Sequence, residues 1–387
     1  MTGSPFLPQS GRSRRARALA SRRRRRRFAI ATILLTLAIA VAVGLMASGD
    51  LSANGHSGRV ARGGQASGPG ANGAGTHVQT QARQTPALLR SGRSRLGLPL
   101  GKPPLALAFG AAATAGATGT VGAGAIVQAP FHHPPVAGLL FNLQTGRVLW
   151  ARQPTTILPI ASLAKMMTAL LVVRARPADT PVLISARATD AQGSKVGLLP
   201  LHKHVPLETL LYGLLLPSGN DAAVALAENV AGSVPSFVEE MNVEAAKLGL
   251  GCTRYTSPDG LDNGNSSCAA DLAELASVDL EQPMLAAVTR SASAVMPFPI
   301  KGGKLYLYNN NPLLRYDYPG ATGLKTGETE AAGLCLVGTA ERHGVKLGVV
   351  LLHSPELGRQ AEYLLDLGFE DLYGQAPVPA PPVPVGR

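Results

Sequence analysis

The apolar positions near the start of the chain form three zones that predict different structures. Residues 28–47 are twenty consecutive residues without a charge, enough for one helix to cross a hydrocarbon core about 30 Å thick. Residues 49–103 are rich in Gly, Ser, Ala, Gln and Arg and follow neither a helical nor a strand period, which predicts disorder. Residues 104–128 are also uncharged. They are mostly Ala, Gly and Thr and would gain little from insertion in a bilayer, so we interpret them as linker.

Regular secondary structure is predicted from about residue 135 onward. The segments AGLLFN and RVLWAR flank residues 143–146 as a strand–turn–strand pattern, and GLCLVGTA and VKLGVVLLH flank residues 341–344 as a second hairpin. Strands at both ends with helices between them predict an α/β (α+β) fold, with one antiparallel sheet flanked by helices and an inserted helical lobe. The predicted helical segments are ASLAKMMTALLVV, two stretches of PLETLLYGLLLPSGNDAAVALAENV that break at Pro217–Gly219, SFVEEMNVEAAKLGL, CAADLAELASVDL and RQAEYLLDLGFEDLY.

The basic residues are concentrated at the start of the chain, where they orient the apolar segment. Ten arginines lie in residues 1–27, which contain no acidic residue, and the other 26 basic residues nearly balance the 24 acidic ones. Because positively charged flanks stay on the cytoplasmic side, we expect residues 1–27 in the cytosol and everything after residue 48 outside. A cleaved signal peptide is the alternative, but its apolar core is normally only about 7–15 residues long. We therefore favour an uncleaved anchor.

These patterns predict five regions along the chain and argue against nucleic acid as a partner. The arginine tail alone does not indicate nucleic-acid binding, because no nucleic-acid-binding domain pattern follows it. The predicted regions are a basic cytoplasmic tail (1–27), a transmembrane anchor (28–48), a disordered Gly/Ala/Pro-rich linker (49–129), a catalytic domain (130–376) and a Pro-rich tail (377–387).

The three cysteines, Cys252, Cys268 and Cys335, constrain the fold only weakly. Outside the cell, Cys252 and Cys268 can form a disulfide and leave Cys335 free in a strand-like segment. Three buried thiols are the alternative that the sequence leaves open. None of the cysteines has the spacing of metal ligands.

The first motif with candidate chemistry is Ser162-Leu163-Ala164-Lys165 in a predicted helix. Positions i and i+3 of a helix share one face, so the Lys165 amine comes beside the Ser162 hydroxyl. Apolar surroundings lower the pKa of a lysine, and a neutral lysine can take the proton that makes serine a nucleophile. The motif alone also fits an ordinary helix cap with a surface lysine.

Two further motifs follow at fixed distances along the chain. Ser218 and Asn220 lie at a helix break 56 residues after the first motif, where a hydroxyl can relay a proton and an amide can bind a peptide backbone. Lys325, Thr326 and Gly327 follow 107 residues later, at the predicted start of a strand, where they can hold a carboxylate beside a closely approaching backbone. Each alone also fits a plain turn, but the three in this order indicate a catalytic site.

Taken in this order, the motifs resemble the D-alanyl-D-alanine carboxypeptidases, the low-molecular-weight penicillin-binding proteins of the serine penicillin-recognising superfamily. The similarity covers residues 135–372 and includes LPIASLAKMMTALLV, LLYGLLLPSGNDAAVALAE, SPDGLD and YPGATGLKTGETEAAGLCLVGTA. The resemblance implies a β-lactamase/transpeptidase-like fold. Combined with the predicted anchor and its arginine flank, it leads us to expect a single-pass protein of a bacterial cytoplasmic membrane, with the N-terminus inside and the catalytic domain outside.

The resemblance further implies a reaction, its residues and its partners. The reaction is removal of the terminal D-alanine from peptidoglycan stem peptides through an acyl-enzyme, without a metal or cofactor. The implied partners are stem peptides ending in D-Ala-D-Ala, β-lactams as covalent inhibitors, and the cytoplasmic membrane through residues 28–48. The implied site comprises Ser162 as nucleophile, Lys165 as acylation base, Ser218 as proton relay, Asn220, Lys325, Thr326 and Gly327 as substrate-binding residues, and the backbone N–H groups of Ser162 and Glu328 as oxyanion hole.

The chain departs from the family pattern at two positions near these motifs. Ala164 replaces a common Thr, and Glu328 occupies a position where Tyr or His is commoner, so we expect its carboxylate, near Lys325, to weaken carboxylate binding. A β-lactamase and a catalytically impaired cell-wall-binding scaffold with the same fold are the alternatives. The sequence has no convincing Glu-x-x-x-Asn between the second and third motifs, which disfavours the β-lactamase.

Overall fold

The computed structural model describes residues 105–108 and 127–373. The strands are β1 (Ala137–Asn142), β2 (Val148–Arg152), β3 (Leu158–Pro159), β4 (Pro181–Leu183), β5 (His204–Pro206), β6 (Ser266–Ser267), β7 (Ser293–Pro297), β8 (Lys304–Tyr308), β9 (Ala321–Thr329), β10 (Gly333–Arg342) and β11 (Val345–Leu352). The helices are α1 (Lys165–Ala175), α2 (Ala186–Asp190), α3 (Leu207–Leu215), α4 (Asn220–Ala231), α5 (Val234–Lys247), α6 (Ala269–Leu280), α7 (Pro283–Thr289), α8 (Pro312–Arg315) and α9 (Leu357–Tyr373).

One five-stranded antiparallel sheet, in the order β2-β1-β11-β10-β9, is built from both ends of the described chain. The turn between β10 and β11 contains His343 and Gly344, both with positive φ angles. Two adjacent residues with positive φ match the twist of a tight hairpin, so this turn fixes the register of the two strands. The antiparallel sheet with helices, predicted from the sequence, is confirmed as a mixed α/β fold.

Both faces of the sheet are covered, which explains why β1 is apolar throughout. Leu139 and Phe141 belong to the core shared with the helical lobe, whereas Leu140, between them, packs into a second core. Side chains alternate between the faces of a strand, so a strand buried on both sides needs apolar residues at successive positions. The second core includes Leu364 and Phe369 of α9.

Two sequence-based expectations need correction. Residues 105–108 and 127–129, predicted to be disordered linker, contact the folded domain, because their backbone groups complete hydrogen bonds of the first hairpin. The Ala108 N–H donates to the Gly146 carbonyl oxygen at 2.8 Å, and the Val127 N–H donates to the Leu149 carbonyl oxygen at 3.0 Å. The third motif lies in the second half of β9, because the strand already begins at Ala321.

The described residues include all three cysteines but not the predicted membrane anchor. Cys252 and Cys268 form a disulfide, and Cys335 is a buried free thiol. Within residues 105–108 and 127–373, no helix has both the length and the apolar character needed to cross a bilayer. The predicted anchor (28–48), the basic tail (1–27) and the Pro-rich tail (377–387) lie outside the described residues.

Candidate active site

The serine of the first motif lies in a tight turn rather than in the α-helix itself. Ala161–Ala164 form a single 3₁₀ turn, and α1 begins at Lys165. Ala161 has a φ of +47°, in the left-handed region that a residue with a Cβ rarely adopts. Backbone strain of this kind occurs where the surrounding structure fixes a functional conformation. Here the residue directly after Ala161 is Ser162.

The amine of Lys165 is completely buried and donates three hydrogen bonds. Its Nζ lies 2.8 Å from the Ser162 Oγ, 2.7 Å from the Asn220 Oδ1 and 2.6 Å from the Asp259 main-chain oxygen. The Ser162 hydroxyl also donates to the Asp259 main-chain oxygen, at 3.3 Å. The structure therefore brings the first two motifs into direct contact.

Burial sets the protonation of Lys165. Loss of hydration disfavours the ammonium form and lowers the pKa of Lys165 from 10.5 to about 7, although the carboxylates of Asp259 and Asp221 act in the opposite direction. At neutral pH about half of the Lys165 side chains are then neutral and have a lone pair to accept a proton. That lone pair would lie next to the Ser162 hydroxyl.

The break between α3 and α4 presents the second motif to the same cleft. Asn220 is the first residue of α4, and its Nδ2 donates to the Gln192 main-chain oxygen at 2.6 Å, which directs its Oδ1 to Lys165. Ser218 has a φ of +68°, is buried, and its hydroxyl has no hydrogen-bond partner among the described residues. A buried hydroxyl without a hydrogen-bond partner costs stability, so we expect a bound ligand to supply that partner.

The third motif places a second buried amine at the site. Lys325 is 1% exposed, and its Nζ donates to the Thr326 main-chain oxygen at 2.8 Å. Burial, and secondarily the charge of Lys165, hold the pKa of Lys325 well below its usual range. No described residue forms an ion pair with this buried amine, and a substrate carboxylate beside Lys325 would supply the counter-charge.

Gly327 allows β9 to lie directly against the turn that carries the serine. A Cβ on Gly327 would lie 2.9 Å from the Ile160 carbonyl oxygen and 3.0 Å from the Ser162 nitrogen. Real Cβ atoms essentially never come closer than 3.0 Å to such an atom, and the first of these distances is below that limit. Glycine is therefore required here by the close approach of two backbones.

Glu328 and Lys325 lie close together in β9 but point to different faces of the strand. Lys325 is buried, whereas Glu328 is exposed and lies on the opposite face of β9, because neighbouring strand residues alternate between faces. The Lys325 amine donates to a main-chain oxygen rather than to the Glu328 carboxylate. The Lys325 amine is thus held by the main chain rather than by Glu328, and the expected weakening of carboxylate binding by Glu328 stays a prediction.

One contributor to the site cannot be recognised from the sequence motifs. The segment Ser257-Pro258-Asp259-Gly260 resembles the family but contains none of the three motifs, yet the Asp259 main-chain oxygen accepts the shortest hydrogen bond of Lys165. Gly260 has a φ of +80°, and a Cβ there would lie 1.9 Å from the Ala161 carbonyl oxygen. The Pro-Asp-Gly pattern indicates a turn, but it does not indicate that the turn packs on a serine 97 residues away.

The accessible residues of the three motifs line one open cleft. The buried residues Lys165, Asn220 and Lys325 contact these residues or one another, so the residues of the predicted site lie close together. The cleft lining includes Ser162, Ser218, Thr326, Gly327 and Glu328, together with Ser194 and Asn310.

Comparison with known proteins agrees with the catalytic site that the geometry indicates. The profile of a family described as D-alanyl-D-alanine carboxypeptidase matches residues 126–356. The chain belongs to the D-alanyl-D-alanine carboxypeptidase family. The predictions of this family, and of a serine-type enzyme with D-Ala-D-Ala carboxypeptidase activity, are thereby confirmed.

Individual members of the D-alanyl-D-alanine carboxypeptidase family show the extent of the similarity. The chain is 35% identical to DacB2 of Mycobacterium tuberculosis, covering 61% of this chain and 82% of the relative. It is 32% identical to DacF of Bacillus subtilis, covering 61% of this chain and 62% of the relative. A solved D-alanyl-D-alanine carboxypeptidase from M. tuberculosis superposes with a TM-score of 0.60 at 34% identity, covering 66% of this chain and 97% of that chain.

Proposed function

We propose that the protein removes the terminal D-alanine from peptidoglycan stem peptides on the outer side of a bacterial cytoplasmic membrane, to which residues 28–48 anchor it. The observation that carries this proposal is the 2.8 Å contact between the Lys165 Nζ and the Ser162 Oγ. A lysine with a pKa of about 7 is a competent base at neutral pH, and a serine beside it becomes a nucleophile.

The first half of the reaction is acylation of Ser162. Neutral Lys165 accepts the hydroxyl proton while the Ser162 Oγ attacks the carbonyl carbon of the penultimate D-alanine. The backbone N–H groups of Ser162 and Glu328 stabilise the oxyanion, a role supported by the close packing of Gly327 on the Ser162 nitrogen. The acyl–oxygen bond forms as the peptide bond breaks, and the leaving amine needs a proton.

Ser218 relays that proton, and the remaining polar groups orient the substrate. The Ser218 hydroxyl faces the cleft without a partner of its own, so it is available to both Lys165 and the leaving amine. Asn220 binds the substrate amide, and Lys325 with Thr326 binds the terminal carboxylate. Water then hydrolyses the acyl-enzyme in the second half of the reaction.

β-Lactams are inhibitors in this proposal because they present a strained amide and a carboxylate to the same groups. Acylation by a β-lactam opens the ring without releasing a leaving group, so the adduct stays attached to Ser162. This covalent label gives a direct test of the nucleophile.

The membrane anchor rests on the sequence pattern. An uncharged segment of twenty residues preceded by six consecutive arginines is typical of a single span with its N-terminus inside. We expect full-length protein to remain with the membrane fraction after high-salt washing. Deletion of residues 1–48 is expected to release it, and a deletion variant that stays with membranes would contradict the anchor.

The test of the activity uses full-length protein in detergent. A fluorescent penicillin is followed on a denaturing gel, and D-alanine release is measured from a peptide ending in D-Ala-D-Ala. The variants are Ser162→Ala and, as a matched control, Ser293→Ala, which changes an exposed serine on β7. We expect wild type and Ser293→Ala to be labelled and to release D-alanine, and Ser162→Ala to do neither.

The other outcomes separate the competing functions. Labelling with rapid loss of the drug and no D-alanine release would indicate a β-lactamase. Folded protein without label or release would indicate a scaffold. Equal labelling of Ser162→Ala and wild type would assign the nucleophile to another residue.

A further inference from the structure

The hairpin formed by β7 and β8 presents an apolar face to solvent. Its strands are antiparallel, with Val295 directly opposite Tyr306, so directly opposed residues point to the same side. One face packs against the core shared with the helical lobe through Ala294, Met296, Leu305 and Leu307. The other face consists of exposed residues, which are Ser293, Val295, Pro297, Lys304, Tyr306 and Tyr308.

This outer face is more apolar than an exposed hairpin face usually is. A hairpin that packs one face on a core normally presents polar side chains on the other. Instead, Val295 is 55% exposed, Tyr306 60% and Tyr308 69%, and Ile300, in the turn that joins the strands, is exposed as well. Apolar side chains that adjoin one another at a surface indicate a site of interaction. We call the outer face of β7 and β8, together with the turn at 298–303, the hairpin surface.

The segment that forms the hairpin carries positive charge only. Residues 282–316 contain no acidic residue and four basic ones, Arg290, Lys301, Lys304 and Arg315. Lys301 lies in the turn and Lys304 begins β8; both are exposed, and neither forms an ion pair among residues 105–108 and 127–373. Tyrosine concentrates at the boundary between water and lipid, and lysine near that boundary attracts anionic headgroups. The hairpin surface is therefore complementary to an anionic bilayer.

The proposed membrane anchor, on which this inference rests, keeps the domain close to a bilayer. Residues 49–104 join the predicted anchor to Leu105, the first described residue. A flexible chain of that length has an r.m.s. reach of about 40 Å. A domain of this length has a radius of gyration of about 18 Å. The connecting chain is therefore long enough to let the hairpin surface touch the bilayer.

We propose that the hairpin surface docks on the anionic headgroups of the bilayer that carries the anchor. The hairpin adjoins the active-site cleft, because Asn310, two residues after β8, lines that cleft and its N–H donates to the Leu216 carbonyl oxygen at 3.0 Å. Docking thus holds the cleft close to the membrane and directs the enzyme toward membrane-proximal stem peptides.

The attraction between the hairpin surface and the bilayer depends on salt. Each lysine near an anionic surface strengthens docking about fivefold at low salt, and high salt screens this attraction. The hairpin alone therefore does not hold the protein on membranes during a high-salt wash.

The test measures contact between the hairpin surface and lipid in full-length protein. Trp150 is the only native tryptophan and is buried, so an added tryptophan reports on its own position. Tyr306→Trp places this probe on the hairpin surface, and Tyr363→Trp places it on α9, which packs on the opposite face of the sheet. Each variant is reconstituted in phosphatidylcholine vesicles that contain brominated lipid, with or without phosphatidylglycerol. Brominated lipid quenches tryptophan fluorescence only at contact distance.

We expect phosphatidylglycerol to increase the quenching of Tyr306→Trp and to leave that of Tyr363→Trp unchanged. Adding Lys304→Gln to Tyr306→Trp should lower the ratio of docked to undocked protein about fivefold at low salt. Lys346→Gln is the matched control, because it removes an exposed lysine from a strand outside the hairpin, and should leave this ratio unchanged.

Three results would overturn the inference. Equal quenching of the two probes would show that a tethered domain is merely close to the bilayer. Absence of quenching of Tyr306→Trp in both kinds of vesicle would show that lipid does not contact the hairpin surface. An equal loss of docking in Lys304→Gln and Lys346→Gln would show a general effect of protein charge.

Failure of the proposed function gives different results. Full-length protein that floats with neither kind of vesicle would refute the anchor together with docking, whereas protein that floats without quenching would refute docking alone. Absence of D-alanine release by wild type would refute the proposed reaction and leave the quenching unaffected.

Discussion

The rate at which a β-lactam acylates Ser162 should follow the deprotonation of Lys165. Burial lowers the pKa of Lys165 from 10.5 to about 7, so about half of these amines are neutral at pH 7. At an ordinary pKa, roughly 0.03% would be neutral at the same pH. Burial therefore raises the fraction of enzyme with a competent base roughly a thousandfold at neutral pH.

The sign of the pH dependence follows from the need for neutral Lys165. Below about pH 7, protonation removes the base, so the second-order acylation rate should fall tenfold for each unit of decreasing pH. Above about pH 8 the rate should reach a plateau. The assay is the initial rate of fluorescent-penicillin labelling between pH 5 and 9, with buffers matched in ionic strength.

The informative perturbation is Asp259→Asn. Of the two carboxylates that raise the pKa of Lys165 against burial, Asp259 has the larger effect, so removing its charge should move the inflection to a more acidic pH. The substitution conserves size, and the Asn oxygen can still accept from the Ser257 hydroxyl and the Leu261 N–H. Asp262→Asn, on the same loop, is the control and should leave the inflection in place.

Two results would refute this reasoning. A rate that is flat between pH 5 and 9 in the wild type would show that Lys165 is not the titrating base. An inflection that moves to higher pH in Asp259→Asn would show that the loop has rearranged rather than lost a charge. Circular dichroism at both pH extremes establishes that each variant is folded.

Three further variants test one close backbone contact of the site and two features that stabilise the fold. Gly327→Ala should slow acylation roughly tenfold to a hundredfold, because its Cβ forces β9 away from the serine turn; unchanged labelling kinetics would contradict this. Replacing both Cys252 and Cys268 by Ser should lower the free energy of unfolding in urea by about 3 kcal/mol, since their disulfide closes a loop with a sequence separation of 16; wild type under reducing conditions should show the same loss. Glu244→Leu should cost about 3–5 kcal/mol, because Arg174 would keep a buried charge without its 2.6 Å partner; a smaller loss in urea unfolding would show that the charge is compensated elsewhere.

The sequence by itself determined the elements whose signal is local. Alternating and continuous apolar runs predicted β1, β2, β10 and β11, and the Pro217–Gly219 break separated α3 from α4 where the structure separates them. Such patterns can be recognised because strand and helix periods depend on neighbouring residues alone. The spacing of Ser162 and Lys165 is likewise local, since three residues of helical backbone bring one side chain to the other.

The sequence also determined the family and its chemistry through three motifs in a fixed order. No single motif sufficed, because a serine near a lysine or a Lys-Thr-Gly turn has an ordinary structural role in many proteins. The combination restricted the fold class, and the family assignment and the sheet topology agree with it.

The tertiary structure alone decided which backbone groups meet at the site. The Asp259 main-chain oxygen reaches Lys165 across 94 residues of sequence, and Gly327 meets the Ser162 nitrogen across more than 160. The low pKa of Lys165 is decided in the same way, because it depends on how completely distant segments exclude water from the amine. Hydrophobic periodicity specifies which face of an element is buried, but the partner on that face, and therefore the electrostatics of the site, is fixed only when the elements pack.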